Sequence, residues 1–564
     1  MSISQLERPF RIVLVFGIVL FTNIISSYLK LSYDCSEEKR FSLTEGTRNT
    51  LLKLEDEVYV RILLEGDFPS GFKQLQTATR DILNQFKSIN THLNFDFENP
   101  NDGSHDDINS TREKLAKDGL NPINLKVNSG TEQSEQLIYP YAIFNLGERK
   151  IAVNLLEHQP DLDQETNISN SISQLEYKFS NAVEKILREQ KKNILFTNSN
   201  GELKPEQSRA AQQLLKPFYH VTFANLDSLY FIKDQVELVI VAKPLTPFSE
   251  RSKFILDQYL MRGGKILWMV DALQISIDSF NVRNEYIPEP LDLQLTDLFF
   301  QYGIRIDPSL VLDLECSKIA QVIGKMGDKP QIELFPWYYF PIAAPYSNHP
   351  IVNNIDRILL DFPAKIDTVK TSGSVRKTPL IVSSPYSRYQ LAPAKVGFDI
   401  LRYQPDPSKF DKPNQTMGIL LEGTFNSPFT NKVEASMLET LKQLNIDFKS
   451  TSSHTKMIVV ADGDLIKNFY DPQTDKFSQM GYSKFEKISY SGNRTFFMNS
   501  VEYLCNDENI LAARSKEFKI RLLNQVRIQN EKSFWQFTNI GLPLVILILF
   551  GWLNTLLRKK RYTQ

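Results

Sequence analysis

The stretch from Phe537 to Leu557 limits what this chain can be more than any other. It reads FTNIGLPLVILILFGWLNTLL without a charge, and Arg558, Lys559, Lys560 and Arg561 follow at once. A helix of about 20 apolar residues crosses a hydrocarbon core. Pro543 stands near one end of the run, and Trp535 and Trp552 lie near its two ends, where aromatic belt residues sit. A basic cluster stays on the cytoplasmic side. The reading is therefore a span at 535–557, crossing from outside to inside, with a basic cytoplasmic tail at 558–564.

A second apolar run lies at 10–31, after Arg8 and Arg11. Here the positive flank comes first, so this span runs from inside to outside, with a cytoplasmic N-terminus at 1–9. The alternative is a cleaved signal peptide, whose apolar core is usually about 7–15 residues. The longer run here and the poor cleavage site at Ser26, Ser27 and Tyr28 argue for a retained anchor. A lipid anchor at Cys35 would need small residues before it, and Tyr33 and Asp34 stand there. Thr22, Asn23, Ser26 and Ser27 fall on one side of the first helix at about 100° per residue. An amide near mid-bilayer faces other helices rather than lipid. These four residues are the candidate partner-binding stripe.

Between the spans the chain reads as a soluble extracytoplasmic α/β body. Lys plus Arg is 65 and Asp plus Glu is 66, a balance that gives no basic face for nucleic acid. Residues 32–160 form the first domain. A helix over Ser42–Leu54 is capped at Thr44, and alternation gives strands at 58–64 and 93–97. Phe72, Leu75, Thr79, Ile82, Leu83, Phe86 and Ile89 recur at helical spacing between those strands. A polar stretch at 101–110, a short helix to Lys117, a strand at 124–127 and a hairpin of 136–146 with 149–156 about Gly147 follow. That order suggests a thioredoxin-like sandwich. Residues 170–505 form the second domain, doubly wound α/β and β-rich after about 330. Its clearest passage is the strand 236–241, a helix capped by Ser249 and ended by Gly263-Gly264, and the strand 265–270 ending at Asp271. Residues 506–534 read as a juxtamembrane helical stalk.

Chemistry is sparse. Cys35, Cys316 and Cys505 share no CxxC spacing, so neither a redox pair nor a metal knuckle is expected. Cys316 and Cys505 read as buried small hydrophobes. There is no Walker loop, GxGxxG or GxSxG elbow, and the six histidines form no zincin pattern. His105 beside Asp106 and Asp107 reads as a solvated loop. Asp462-Gly463-Asp464 follows the strand 457–460. Carboxylates at a strand's C-terminal end can hold a cation, but Asp and Gly there also suit a turn, and the turn is preferred. No catalytic residue, cofactor or metal site is expected.

Several separated segments carry a resemblance. They are Arg40-Phe41-Ser42-Leu43-Thr44, Glu65-Gly66-Asp67-Phe68-Pro69, and Gly263-Gly264-Lys265 leading to Trp268 and Asp271. Leu421-Glu422-Gly423-Thr424-Phe425, the run Ala461–Asn468 and Arg514-Ser515-Lys516 complete them. In this order, between two anchors, they resemble the auxiliary "substrate-binding" subunits of ABC transporters linked to gliding motility, the GldG family. The resemblance implies a permease and, through it, a cytoplasmic ATPase, in a bacterial inner membrane. It implies a non-catalytic accessory subunit whose ligand is an unknown substrate or an envelope component. A structural tether without a small ligand is the alternative, and an amidotransferase-like enzyme is a third class. Solute binding predicts a pocket, a tether an exposed apolar patch and no pocket, and an enzyme a nucleophile–base pair.

The charge asymmetry makes a topological prediction. A reporter active only outside the cytoplasm should be silent when fused after Gln564 and active when fused within the body. Activity at Gln564 would invert the assignment of the second span.

Overall fold

The computed structural model describes residues 14, 16–22, 42–118, 120, 122–129, 132–156, 164–188, 190–280, 285–326, 329–344, 347, 349–353, 355–371, 373–430, 432–433, 435–443, 446–505 and 525–562. Contacts divide the chain into Met1–Glu517 and Phe518–Gln564. In the second unit one helix spans Gln525–Tyr562 with Pro543 inside it. Its segment Glu531–Lys560 is long and apolar enough to cross a membrane, by length and composition. Of the expected helical stalk, residues 525–534 are helical and continuous with the expected second span, and 506–524 lie outside the described residues. So does most of the expected first span, of which 14 and 16–22 are helical.

The first sheet opens the larger unit. Strand β1 (Val58–Ile62), helix α1 (Ser70–Ile89) and strand β2 (Leu93–Phe97) form a parallel crossover. Strands β3 (Tyr141–Leu146) and β4 (Arg149–Asn154) add antiparallel, giving the order β2-β1-β3-β4. Val58, Val60 and Ile62 are buried, as alternation requires, and α1 buries Phe72, Leu75, Thr79, Leu83 and Phe86. Helix α2 (Leu175–Leu187) joins the same core through Phe179, Val183 and Ile186. The Thr44 hydroxyl does cap its helix, accepting from the Thr47 amide at 3.3 Å.

Two readings need correcting. The run 136–146 is not one strand. Glu132–Ile138 pairs with Ile123–Ser129, and Tyr139-Pro140 separates it from β3, because proline cannot donate to a ladder. Nor does His105 lie in a loop. It opens the helix His105–Lys117, whose first turn carries Asp106 and Asp107 behind the Ser104 cap. Acidic residues favour that helix end.

The second sheet has seven strands. They are β5 (Lys192–Thr197), β6 (Tyr219–Ala224), β7 (Val236–Ala242), β8 (Lys265–Met269), β9 (Val375–Val382), β10 (Thr416–Gly423) and β11 (Thr455–Val460). Their order is β9-β10-β11-β8-β7-β5-β6. The five from β11 to β6 are parallel, and β10 and β9 extend the sheet antiparallel. Alternate residues enter opposite cores. Ile240, Leu267, Met269, Ile458 and Val460 face one, and Val239, Val241, Ile266, Trp268 and Val459 face the other. Helices α3 (Arg209–Leu215) and α5 (Ser491–Leu504) lie on the first side, and α4 (Glu250–Met261) on the second. Burial on both faces explains the unbroken apolar runs of these strands. Ser249 caps α4, accepting from the Ser252 amide at 3.1 Å, and Gly263 ends it at φ +94°.

Past β8 the chain turns to hairpins. Cys316–Met326 pairs with Lys329–Ala343, so the β-rich region starts before 330. The expected strand at 358–366 is two short ones, Ile358–Leu359 and Ile366–Thr368.

Helix α2 meets α5 through a buried ion pair. Lys185 and Glu502 are 2.5 Å apart, with side chains 3% and 2% exposed. Tyr177 also donates to Glu502, and Asn181 Nδ2 donates to it at 2.8 Å. Burial raises the Glu502 carboxyl, but Lys185, Tyr177 and Asn181 together hold it below the usual carboxylate range. Breaking one side of such a pair typically costs about 3–5 kcal/mol, because the other charge stays buried. Glu502→Gln should therefore lower the unfolding free energy by several kcal/mol. The double variant Lys185→Met/Glu502→Leu should lose less than Glu502→Gln alone, as read by denaturant melts. A double variant worse than the single would contradict this.

Candidate functional site

Three neighbouring strands of the second sheet end in charge. Lys243 follows β7, Asp271 comes two residues after β8, and Asp462-Gly463-Asp464 comes just after β11. Open α/β sheets use this carboxyl edge for ligands. The three segments are locked together. The Lys243 amide donates to Met269 O at 2.8 Å, and the Val270 amide to Val460 O at 2.9 Å. Lys243 adopts φ +55°, uncommon for a side chain with a Cβ. Gly463 packs directly on it. A Cβ on Gly463 would lie 2.8 Å from Lys243 Cβ and 3.0 Å from its Cα.

The carboxylates are satisfied from within. Gly463 N donates to Asp271 Oδ1 at 2.6 Å. Asp462 accepts from the Asp464 amide at 2.7 Å and from the Asp361 amide at 2.8 Å. The Lys243 ammonium sits 3.2 Å from Asp271 Oδ2 and also contacts Asp464. Lys467 reaches Asp464 Oδ1 at 2.9 Å. Oxygens of Asp271, Asp462 and Asp464 lie within 4.8 Å of one another, close enough to share a cation. Lys243 already provides that positive charge, so a divalent ion would have to displace or face an ammonium.

Burial governs the protons here. It raises the Asp462 carboxyl well above its usual range, with Asp464, Asp271 and Asp361 adding to it. Burial, then Asp464, pushes Asp361 up to about 7. Burial also raises Asp464, but Lys243 and Lys467 outweigh it and hold that carboxyl low. Lys243 stays charged, since Asp271 and Asp464 overcome its burial. Two ammonium groups thus face four carboxyls, three of which, Asp271, Asp361 and Asp462, are raised by burial. The arrangement is a knot of buried opposite charges.

The preferred reading of Asp462-Gly463-Asp464 as a turn describes its backbone, since Asp462 accepts from the amide two residues on. The sequence reading missed that Lys243, Asp271 and Asp361 join it. The signal was present: three apolar strands each end in a charged residue. Of the candidate stripe, Thr22 is helical and its hydroxyl donates to Ile18 O at 2.7 Å. Asn23, Ser26 and Ser27 lie outside the described residues, as does Cys35. Cys505 is buried, and Cys316 is half-buried. Burial, Asp313 and Glu486 push the Cys316 thiol up to about 12, far from a reactive thiolate.

A second feature lies where α2 meets α5. A cleft of about 210 Å³ is bounded by β4, α2, the α3 end and α5. Its polar lining includes Lys178, Asn181 and Arg494, and its apolar lining includes Ile151, Phe218 and Met498.

The fold and these sites define an α/β body built on two main sheets, with a potential membrane helix and a charge knot at the strand ends of the larger sheet. A family model described as "ABC-type uncharacterized transport system", of the auxiliary type, matches residues 191–500. That is more than half of the chain, and the chain belongs to this family. A domain model of unknown function matches residues 37–145. An uncharacterized protein of Borreliella burgdorferi is 22% identical over 560 residues, covering 94% of each chain. Among solved structures, the mmIFT52 N-terminal domain matches 55% of this chain and 96% of its own at 13% identity, with a TM-score of 0.31, too low to define a shared fold. Family membership associates the chain with an ABC transport system as an accessory protein.

Asp361 gives the knot a pH signature. Its folded pKa of about 7 exceeds the unfolded value of about 3.9. Its stabilisation is complete below about 4 and is lost as pH rises through about 7. Asp361→Asn should remove that loss, so its melting temperature should exceed the parent's by more at pH 8 than at pH 5. An equal margin at both values would contradict the assignment.

Proposed function

We propose that this chain is a non-catalytic accessory subunit of a bacterial ABC transporter of the gliding-motility type. It is anchored in the cytoplasmic membrane by spans at 10–31 and 535–557, with both termini inside and the body outside. Its helices pack on the permease, which carries the cytoplasmic ATPase. The body is substrate-binding-like. The observation that carries this reading is the match of the transport-auxiliary family to residues 191–500. The apolar helix at 531–560, running into Arg558, Lys559 and Lys560, supports the anchor and its orientation. The order β2-β1-β3-β4, with only β1 and β2 parallel, supports a thioredoxin-like first domain.

One observation favours the tether as a second reading. The hairpin of 316–326 with 329–343 carries Val322 paired with Ile332, and both are exposed, at 64% and 61%. Leu334 continues that face, 41% exposed. An exposed apolar face of this kind suits a protein partner rather than a solute.

Affinity purification of the tagged chain from its native membrane tests the proposal, with the permease and ATPase as the expected companions. Interhelical hydrogen bonds in membranes are worth about 0.6–2 kcal/mol each. Replacing Thr22, Asn23, Ser26 and Ser27 together by leucine should therefore reduce permease recovery severalfold while insertion stays normal. Undiminished recovery would show that the stripe is not the contact, and recovery of no transporter subunit with the parent would overturn the proposal itself.

A further inference from the structure

The ribbon of Cys316–Met326 with Lys329–Ala343 turns its apolar side outward. Residues directly opposite one another in an antiparallel pair share a face, and faces alternate along each strand. One face carries Ile319 opposite Phe335. Ile319 is buried in the core there, and Phe335 is half-buried. The other face therefore points away from the protein. On it Ala320 lies opposite Leu334, and Val322 opposite Ile332. Val322, Ile332 and Leu334 are exposed. The solvent face of an antiparallel sheet is ordinarily polar, and this one is aliphatic. Among the described residues, only Ile342 and Ala343 of the ribbon pair with a further strand, Ile358–Leu359. The outer part stands as two strands alone.

The charge on this face is of one sign. Lys318, opposite Pro336, and Lys325, opposite Pro330, bracket the aliphatic patch and are exposed. Glu333 lies opposite Gln321 on the other face. An exposed apolar patch serves either a protein or a bilayer, and size decides between them here. A stable protein interface takes about 20–30 residues from each side. This face offers Ala320, Val322, Ile332 and Leu334 between two lysines. Aliphatic side chains flanked by lysines are the make-up of a segment that lies in a bilayer interface, with the ammonium groups at the level of the lipid phosphates. The chain also carries the helix 531–560, long and apolar enough to cross a membrane. Such a tether makes a second contact with the same bilayer intramolecular, so a weak face suffices.

We propose that the outward face of this ribbon docks on an anionic lipid surface. Val322 and Ile332 enter the boundary between headgroups and acyl chains, and Lys318 and Lys325 pair with lipid phosphates. The inference rests on the membrane anchoring in the proposed function and adds a second membrane contact, made by the body itself.

The test reads backbone amide exchange of the full-length chain in lipid nanodiscs, at one chain per disc so that no second copy covers the face. Discs of phosphatidylcholine alone are compared with discs containing about one third phosphatidylglycerol. Near an anionic surface each lysine contributes about fivefold to partitioning. Amides of 318–325 and 331–335 should exchange at least fivefold more slowly in the anionic discs, while those of the exposed segment 471–476 exchange alike in both. Lys318→Gln/Lys325→Gln should melt like the parent, since both positions are exposed, and should remove the difference between the discs. Val322→Ser/Ile332→Ser should likewise melt like the parent and lose the slowing in the anionic discs. Equal exchange of the parent ribbon in the two discs would overturn the inference, as would slowing that survives both double variants. A ribbon that exchanges fast in both discs yet is protected in native membranes would assign the face to a protein instead. A chain that elutes apart from the discs would refute the anchoring beneath the inference, whereas a chain that elutes with them and leaves its ribbon unprotected refutes the docking alone.

Discussion

An ammonium held between carboxylates closes the carboxyl edge of the main sheet. Both faces of that sheet are covered, so its strands can be apolar throughout and only their ends bear charge. Where β7, β8 and β11 end, those charges have little water and must satisfy one another. Lys243 lies against Asp271 and Asp464, and Gly463 leaves room for the Lys243 backbone. The left-handed backbone of Lys243 is sustained by this packing. The site that an α/β sheet ordinarily offers to a ligand is thereby filled by the protein's own side chains.

A second buried charge pair lies between the two main sheets. Helix α2 shares the core of the first sheet and is followed closely by β5, a strand of the second. The Lys185–Glu502 pair ties it to α5. A buried pair of this kind contributes little net stability compared with apolar packing, yet it fixes one relative arrangement of the two helices because either charge alone is costly. The cleft beside it inherits that geometry. The same chain therefore has a strand edge filled by its own charges and a cleft beside the contact of α2 with α5.

Much of this was legible in the sequence because local rules and tertiary packing agree. Thr44 and Ser249 cap the helices they were expected to cap, and Val58, Val60 and Ile62 alternate as a half-buried strand should. Apolar runs at 236–241 and 265–270 announced a doubly covered sheet. The misreadings arose where a single residue decides. Pro140 splits a run that hydropathy joins, and Ser104 starts a helix within a stretch too polar to show periodicity. The charge knot was half visible. Asp462-Gly463-Asp464 stood out as a motif, but Lys243 and Asp361 are distant in sequence, and only the strand order brings them together. Lys185 and Glu502 have no sequence signature at all, since they meet only where two helices distant in sequence pack together.

Membership of the transport-auxiliary family places this α/β body beside a membrane transporter. Site-specific photo-crosslinking in living cells tests it most directly, with a photoreactive residue placed in turn at positions 540, 544, 548 and 552 of the apolar helix. The account predicts that at least one helical face yields a discrete adduct with an integral-membrane transporter subunit, while the opposite face yields lipid adducts. Lipid adducts alone from every position, in cells where the protein is inserted at normal levels, would contradict it.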